Sequence, residues 1–294
     1  MKESYKQHFL QAGRIAKEVR AFGKSLIQTG ASYNNIIAQI LAKIAELGAV
    51  PAFPPQMALN EVAAHYLPQP QEDVILSDQI VKLDVGICFQ GAIGDCAVTV
   101  DLSGTHQQLI DAAEAALKHA EEIIRVGLPI REIGKIIEET ITARGFQPVR
   151  NLCGHGLGFY KVHTAPLIPN YHDHSKGIIQ PGMTFAIEPF ATTGKGLIHE
   201  QGEATIFSLL KNKPASSPQA QELLETIQGF KGLPFSLHEV VQGQEEARRA
   251  LAQLVSSGIV GGYPPLVEIS GGWVAQAENS VLVDEKGVVT ITTR

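Results

Sequence analysis

The sequence predicts a mixed α/β (α+β) fold. Three observations carry that expectation. Apolar residues recur at helical spacing before residue 48 and again between 107 and 144. Apolar and polar residues alternate from Gln79 to Ile87, and further strand-like segments follow residue 183.

The elements follow in order. Phe9, Ala12, Ile15, Ala16 and Val19, then Ile36, Ile37, Ile40, Leu41 and Ile44, predict helices across 4–48, broken at Gly30 and Gly48. Pro51, Pro54 and Pro55 end them in a stiff extended loop. Val81, Leu83, Val85 and Ile87 share one face of a strand; a second strand, from about Ile93 to Leu102, follows Gln90-Gly91 as a hairpin. Helices are predicted over 107–126 and 130–144, the second stopped by Gly145. Segments 183–191 and 203–210 read as strands. Residues 214–260 read as a helical insertion, and the last strands, 273–283 and 288–292, flank a turn at 284–287.

Composition excludes several classes. The 294 residues carry 24 Lys+Arg against 30 Asp+Glu, a net charge of −6, so no basic excess exists to neutralise phosphates. A hydrophobic share of 44% argues against wholesale disorder. No apolar run reaches the roughly 20 residues that span a bilayer. Met1 to Gln11 are polar where a signal peptide needs an apolar stretch. Three cysteines, Cys88, Cys96 and Cys153, are too few and odd in number for a disulfide framework, so the expected home is a reducing cytoplasm.

The chemistry begins at Asp84 and Asp95. An aspartate in the middle of a strand needs a reason, and here are two, eleven positions apart. With an even-numbered hairpin loop they share one face, opposite or diagonal, where like charges repel unless a proton or cation sits between them. Solvated strand-end aspartates are the rival explanation. Glycines on both sides of His155 let the backbone approach closely and expose the imidazole, and His163 follows eight positions on. Gly154-His155-Gly156-Leu157-Gly158 lacks the Lys-Ser/Thr ending of a phosphate loop. Glu188 lies inside the apolar run Phe185–Phe190, and Glu278 precedes a strand. Each is costly to desolvate unless paired or metal-bound. Four carboxylates and one imidazole make an oxygen-rich donor set suited to Mn, Fe or Co, with Zn also open. Two such ions can activate a shared water and polarise a carbonyl.

At these residues the sequence resembles the methionine aminopeptidases of type II, the archaeal and eukaryotic subfamily. The matching strings are Pro51-Ala52-Phe53-Pro54, Asn60-Glu61-Val62-Ala63-Ala64-His65-Tyr66, Lys82-Leu83-Asp84-Val85-Gly86, Gly154-His155, Val162-His163, Phe185-Ala186-Ile187-Glu188-Pro189-Phe190 and Ala275-Gln276-Ala277-Glu278. They stand in the family's order along nearly the whole chain. The ninety positions between Glu188 and Glu278 leave room for the type II helical insertion, and Tyr263-Pro264-Pro265-Leu266 resembles the type II segment near the pocket. Prolidases and aminopeptidases P share the metal set but carry a further N-terminal domain, for which the stretch before Pro51 is too short.

The resemblance implies a pita-bread fold of two related halves, with residues 1–207 as the first catalytic part, 208–261 as the inserted helical subdomain and 262–294 as the closing strands. It implies two divalent ions (Co, Mn, Fe(II) or Zn) on Asp84, Asp95, His155, Glu188 and Glu278, with Asp95 and Glu278 bridging and a hydroxide shared between the metals. Glu188 is then the general base, His65 hydrogen-bonds the scissile amide and His163 stabilises the tetrahedral intermediate. Phe53, Val162 and His199 lie near the methionine pocket. The implied activity removes the initiator methionine from nascent chains with a small second residue, by a monomer without nucleic-acid specificity or membrane attachment. A catalytically inactive partner- or ribosome-binding relative and an Xaa-Pro peptidase stay open as alternatives. The chain departs from the family's usual Gln-Phe-Glu-His-Thr at Ala277, Asn279 and Ser280. Asn279 can still hydrogen-bond but cannot carry a positive charge.

Overall fold

The computed structural model describes residues 2–241 and 244–294. Two helices open the chain, α1 (Glu3–Leu26) and α2 (Tyr33–Glu46). The expected face of α1, from Phe9 to Val19, is buried. Ser32 caps α2: its hydroxyl accepts the Asn35 N–H at 3.1 Å, a donor that the first helical turn leaves without an intrahelical partner. Both helices lie on the hairpin of strands Ile80–Phe89 and Ala92–Asp101, burying Ile36 and Ile40 against Val81, Leu83, Val85 and Ile87. The hairpin loop is two residues long. Gln90 and Gly91 sit at φ 51° and 84°, the double left-handed turn whose twist matches that of the strands. Strands Val50–Pro51 and Gln56–Leu59 pair in succession with the other edge of Ile80–Phe89.

The second half repeats the plan. Helices α3 (Gln107–Ile123) and α4 (Ile130–Thr142) share a core with a five-stranded sheet, ordered Val289–Ile291, Asn279–Val283, Thr184–Ile187, Cys153–Gly158 and Lys161–Pro169. Two expected strands are each broken in two. Segment 183–191 splits into Thr184–Ile187 and Phe190–Thr192; segment 273–283 splits into Val274–Gln276 and Asn279–Val283. On one side of the breaks the pieces pair inside the five-stranded sheet, and on the other they pair in a separate sheet. The chain therefore changes sheets at Glu188-Pro189 and at Ala277-Glu278. Pro189 has no N–H for a ladder, and its carbonyl accepts the Ala277 N–H at 3.2 Å.

A third core belongs to α5 (Pro218–Gln228), α6 (Leu237–Val241) and α7 (Glu245–Ser256), packed with strands Ile206–Leu209, Phe235–Ser236 and Val260–Tyr263. Its first helix starts later than the sequence suggests. Ser217 caps it, accepting the Ala220 N–H at 3.2 Å, with Pro218 in the first turn. The two halves meet where Ala97 and Glu278 exchange main-chain hydrogen bonds of 3.4 Å each. Among the described residues no helix is long and apolar enough to cross a membrane.

Candidate metal centre

The hairpin register sets the first two carboxylates. Asp84 stands opposite Ala97 and Asp95 opposite Gly86, so the two aspartates share a face and lie diagonal to each other. The third group comes from the interior strand Cys153–Gly158. A Cβ on Gly156 would lie 2.1 Å from the Ala165 carbonyl oxygen, so glycine is what allows the next strand to approach. The imidazole of His155 is buried, 6% exposed, rather than presented to solvent as the flanking glycines suggest. The fourth and fifth groups, Glu188 and Glu278, sit at the two points where the chain changes sheets. A residue at such a break is free of strict strand alternation, so both glutamates can turn toward the aspartates.

All five line one cavity of about 320 Å³. His155 Nε2 lies 3.8 Å from Asp95 Oδ2 and 3.6 Å from Glu188 Oε1. One ligand atom each from Asp95, His155 and Glu278 falls within 4.8 Å of the others. His155 Nδ1 is 3.3 Å from the Gly156 carbonyl, so a proton there leaves the Nε2 lone pair facing the carboxylates. Burial, and next the His163 ring, lower the His155 pKa to about 3, so this imidazole is neutral near pH 7. Burial raises Asp84 to about 7. Burial and then the neighbouring carboxylates push Asp95, Glu188 and Glu278 well above their ordinary range.

Acceptors thus converge on one space. Asp84 Oδ1 and Asp95 Oδ1 are buried without a hydrogen-bond partner among the described residues. Two amides lean on the cluster at long range: Gln56 Nε2 is 3.5 Å from Asp84 Oδ2, and Gln276 Nε2 is 3.4 Å from Glu278 Oε2. Such a set is unfavourable as it stands and becomes favourable around divalent cations, which take oxygen and imidazole nitrogen donors of this kind. The residues present fit a divalent metal.

Phe53, His65, Val162 and His163 line the same cavity. The His163 ring is 4.3 Å from that of His155, edge to face. His65 holds a left-handed backbone at φ 61°, an uncommon state for a residue with a side chain, and its ring is 5.5 Å from that of Tyr263. Burial, then His163, lower its pKa to about 4 against a hydrogen bond to the Pro264 backbone; burial also lowers His163. Both imidazoles are therefore uncharged near pH 7 and act as hydrogen-bonding groups.

His199 does not join them. It is exposed on the edge strand Ile198–Glu200, paired with Val267, and is not among the cavity-lining residues. Ile206, on the next strand, lines the cavity instead, as do Gln56 and Pro234. Gln56 faces Asp84 directly in register, a pairing hidden in the sequence because the short strand Gln56–Leu59 follows a proline run. Nothing in the spacing marks Pro234, which the helical core delivers to the cavity wall.

The M24 metallopeptidase family model matches residues 7–285. The chain belongs to metallopeptidase family M24. Within M24, a methionine aminopeptidase of Pyrococcus horikoshii is 41% identical over 97% of this chain and 98% of its own length. Two solved structures show the shared pita-bread fold. A methionine aminopeptidase of Thermotoga maritima superposes with a TM-score of 0.73 at 22% identity, covering 100% of this chain and 98% of that one. A thermophilic Arx1 superposes at 0.87 with 14% identity, covering 99% and 91%. Membership in M24 goes with divalent-metal use, and the buried carboxylate–imidazole cluster is where this chain can hold it.

Proposed function

We propose that this M24 enzyme removes the N-terminal methionine of nascent polypeptides whose second residue is small. The observation that supports the reading most is the convergence of Asp84, Asp95, His155, Glu188 and Glu278 on one buried space, with acceptors facing acceptors. These five would hold two divalent ions drawn from Co, Mn, Fe(II) or Zn. When bound, the ions supply Lewis acidity to the scissile carbonyl and the attacking water.

The chain's own groups do the rest. Glu188, 3.6 Å from His155 Nε2 and at the cavity wall, takes the proton of the attacking water. His65 and His163, both neutral, offer hydrogen bonds to the scissile amide and to the oxygen that gains charge in the tetrahedral state. Phe53, Val162 and Ile206 provide apolar walls for the methionine side chain. We read 208–261 as an inserted subdomain, whose described helices share a core with the strands Ile206–Leu209 and Val260–Tyr263; Pro234 from this part of the chain lines the pocket. A nascent-chain substrate suits a cytoplasmic enzyme.

Incubating the folded protein with Met-Ala-Ser and Mn or Co tests the reading. Release of free methionine is expected, with Ala-Pro substrates uncut. No methionine release with any of several divalent metals would overturn it, and preferential cleavage of Ala-Pro would move the assignment to an Xaa-Pro peptidase.

A further inference from the structure

Glu278 sits at a break between strands, and its main chain is held loosely by the sheet. Its N–H and carbonyl meet Ala97 at 3.4 Å each, long for backbone hydrogen bonds. A closer contact comes from 258 positions away. Arg20, on α1, donates Nη1 to the Glu278 carbonyl at 2.9 Å. The same Nη1 reaches Asn279 Oδ1 at 2.9 Å and the Ala97 carbonyl at 3.4 Å, and Nη2 donates to the Thr293 carbonyl at 2.8 Å. One guanidinium therefore grips the break that carries Glu278, the strand that carries Asp95 and the end of the chain.

Asn279 completes the grip. Its Oδ1 also accepts from the Thr293 hydroxyl at 2.8 Å, and its Nδ2 donates to Glu121 Oε1 on α3 at 2.6 Å. Glu121 in turn pairs with Arg294 at 3.1 Å. A carboxamide suits this place because one group accepts from a cation on one side and donates to a carboxylate on the other. Arg20, Asn279 and Glu121 do not line the substrate cavity, so they reach the chemistry through the main chain that carries the metal-binding carboxylates, most closely at Glu278. That matters because Glu278 is buried beside Asp95, which repels it when no cation is present. Charge-assisted hydrogen bonds of this length resist such displacement better than neutral ones at 3.4 Å.

We propose that Arg20, working with Asn279, is a positioning residue for Glu278 that sets the affinity and ligand geometry of the metal centre without touching substrate. The proposal rests on the metal reading above. The test is Co(II) binding to the metal-free chain, followed by calorimetry and by the visible absorption of the bound ion, which reports ligand geometry independently of turnover. Arg20→Met is expected to bind Co(II) about 10- to 100-fold more weakly, with an altered spectrum. Arg20→Lys, with one compact ammonium in place of a planar fork of donors, is expected to fall between Arg20→Met and wild type. Lys17→Ala is the control. It removes a different tie between α1 and the chain end, from Lys17 Nζ to the Arg294 carbonyl at 2.8 Å, and is expected to leave both readouts unchanged.

Wild-type affinity and spectrum in folded Arg20→Met would overturn the proposal, as would an equal loss in Lys17→Ala. If Arg20→Met does not fold, Arg20→Lys decides: weaker binding with a shifted spectrum supports the clamp, and wild-type behaviour overturns it. Failure of the wild-type chain to bind Co(II) would instead remove the functional reading, and the clamp with it.

Discussion

Ser280 and Asp95 are locked together by two hydrogen bonds through one hydroxyl. Ser280 Oγ accepts the Asp95 N–H and donates to the Asp95 carbonyl, each at 2.8 Å. The contact joins the hairpin of the first half to the central sheet of the second, beside the proposed metal ligands. Ser280→Ala leaves the buried N–H and carbonyl of Asp95 without this partner. The expected loss is about 1–3 kcal/mol of stability. Thermal or denaturant unfolding of the variant measures it, and an unchanged midpoint would show that the seam is held elsewhere.

Glu188 is the proposed proton acceptor. Glu188→Gln keeps the shape of the side chain and removes its basicity, and with it the charge of one proposed metal ligand, so the variant is assayed at saturating metal. Steady-state hydrolysis of Met-Ala-Ser should show kcat lower by about 10²- to 10⁴-fold with KM little changed. A loss confined to KM would assign Glu188 to binding.

Metal and pH should act together on stability. Asp84 is raised to about 7 from an ordinary 3.8, so its contribution to the metal-free fold is present below the unfolded value and is lost as pH climbs through about 7. His155 and His65, lowered to about 3 and about 4 from 6.5, do the reverse: their contribution is present above 6.5 and is lost as pH falls toward those values. Added metal needs deprotonated carboxylates and a neutral imidazole, so both trends make it bind better at higher pH. The stabilisation on adding Mn, read from the rise in Tm, should grow from about pH 5 to about pH 7.5, reaching about 2.7 kcal/mol per bound ion at a hundredfold excess over Kd. A chelator should reverse it. An equal rise at every pH would separate metal binding from these groups.

Gly86 stands opposite Asp95, and a Cβ there would lie 2.2 Å from the Phe53 ring. Gly86→Ala therefore pushes Phe53 out of place at the cavity wall. The expected result is a higher KM for methionyl peptides with a smaller change in kcat, read from the same hydrolysis assay. An unchanged KM would take Phe53 out of the methionine pocket.

The chain sequence carried much of this arrangement, and unevenly. Parity alone put Asp84 and Asp95 on one face, because a two-residue loop fixes the hairpin register. The helices were legible from buried spacing in α1 and α3. The sheet-switching breaks were not. An apolar run through Glu188 reads as one strand, since periodicity registers burial and not which sheet a strand joins. The strand holding His155 was hidden because Gly154-His155-Gly156-Leu157-Gly158 carries no apolar–polar alternation; the close backbone approach expected of its glycines is there, but it buries the imidazole instead of exposing it. His199 looked close to the pocket by position, yet its edge strand leaves it exposed while Ile206 reaches the cavity. Arg20 left no local signal at all, because its partners lie at the far end of the chain.

The central claim is that five side chains from distant segments hold a shared metal centre. Anomalous diffraction from crystals loaded with Mn or Co tests it most directly. Two anomalous peaks enclosed by Asp84, Asp95, His155, Glu188 and Glu278 are the predicted result; a metal-loaded crystal with no peak among these residues would contradict it.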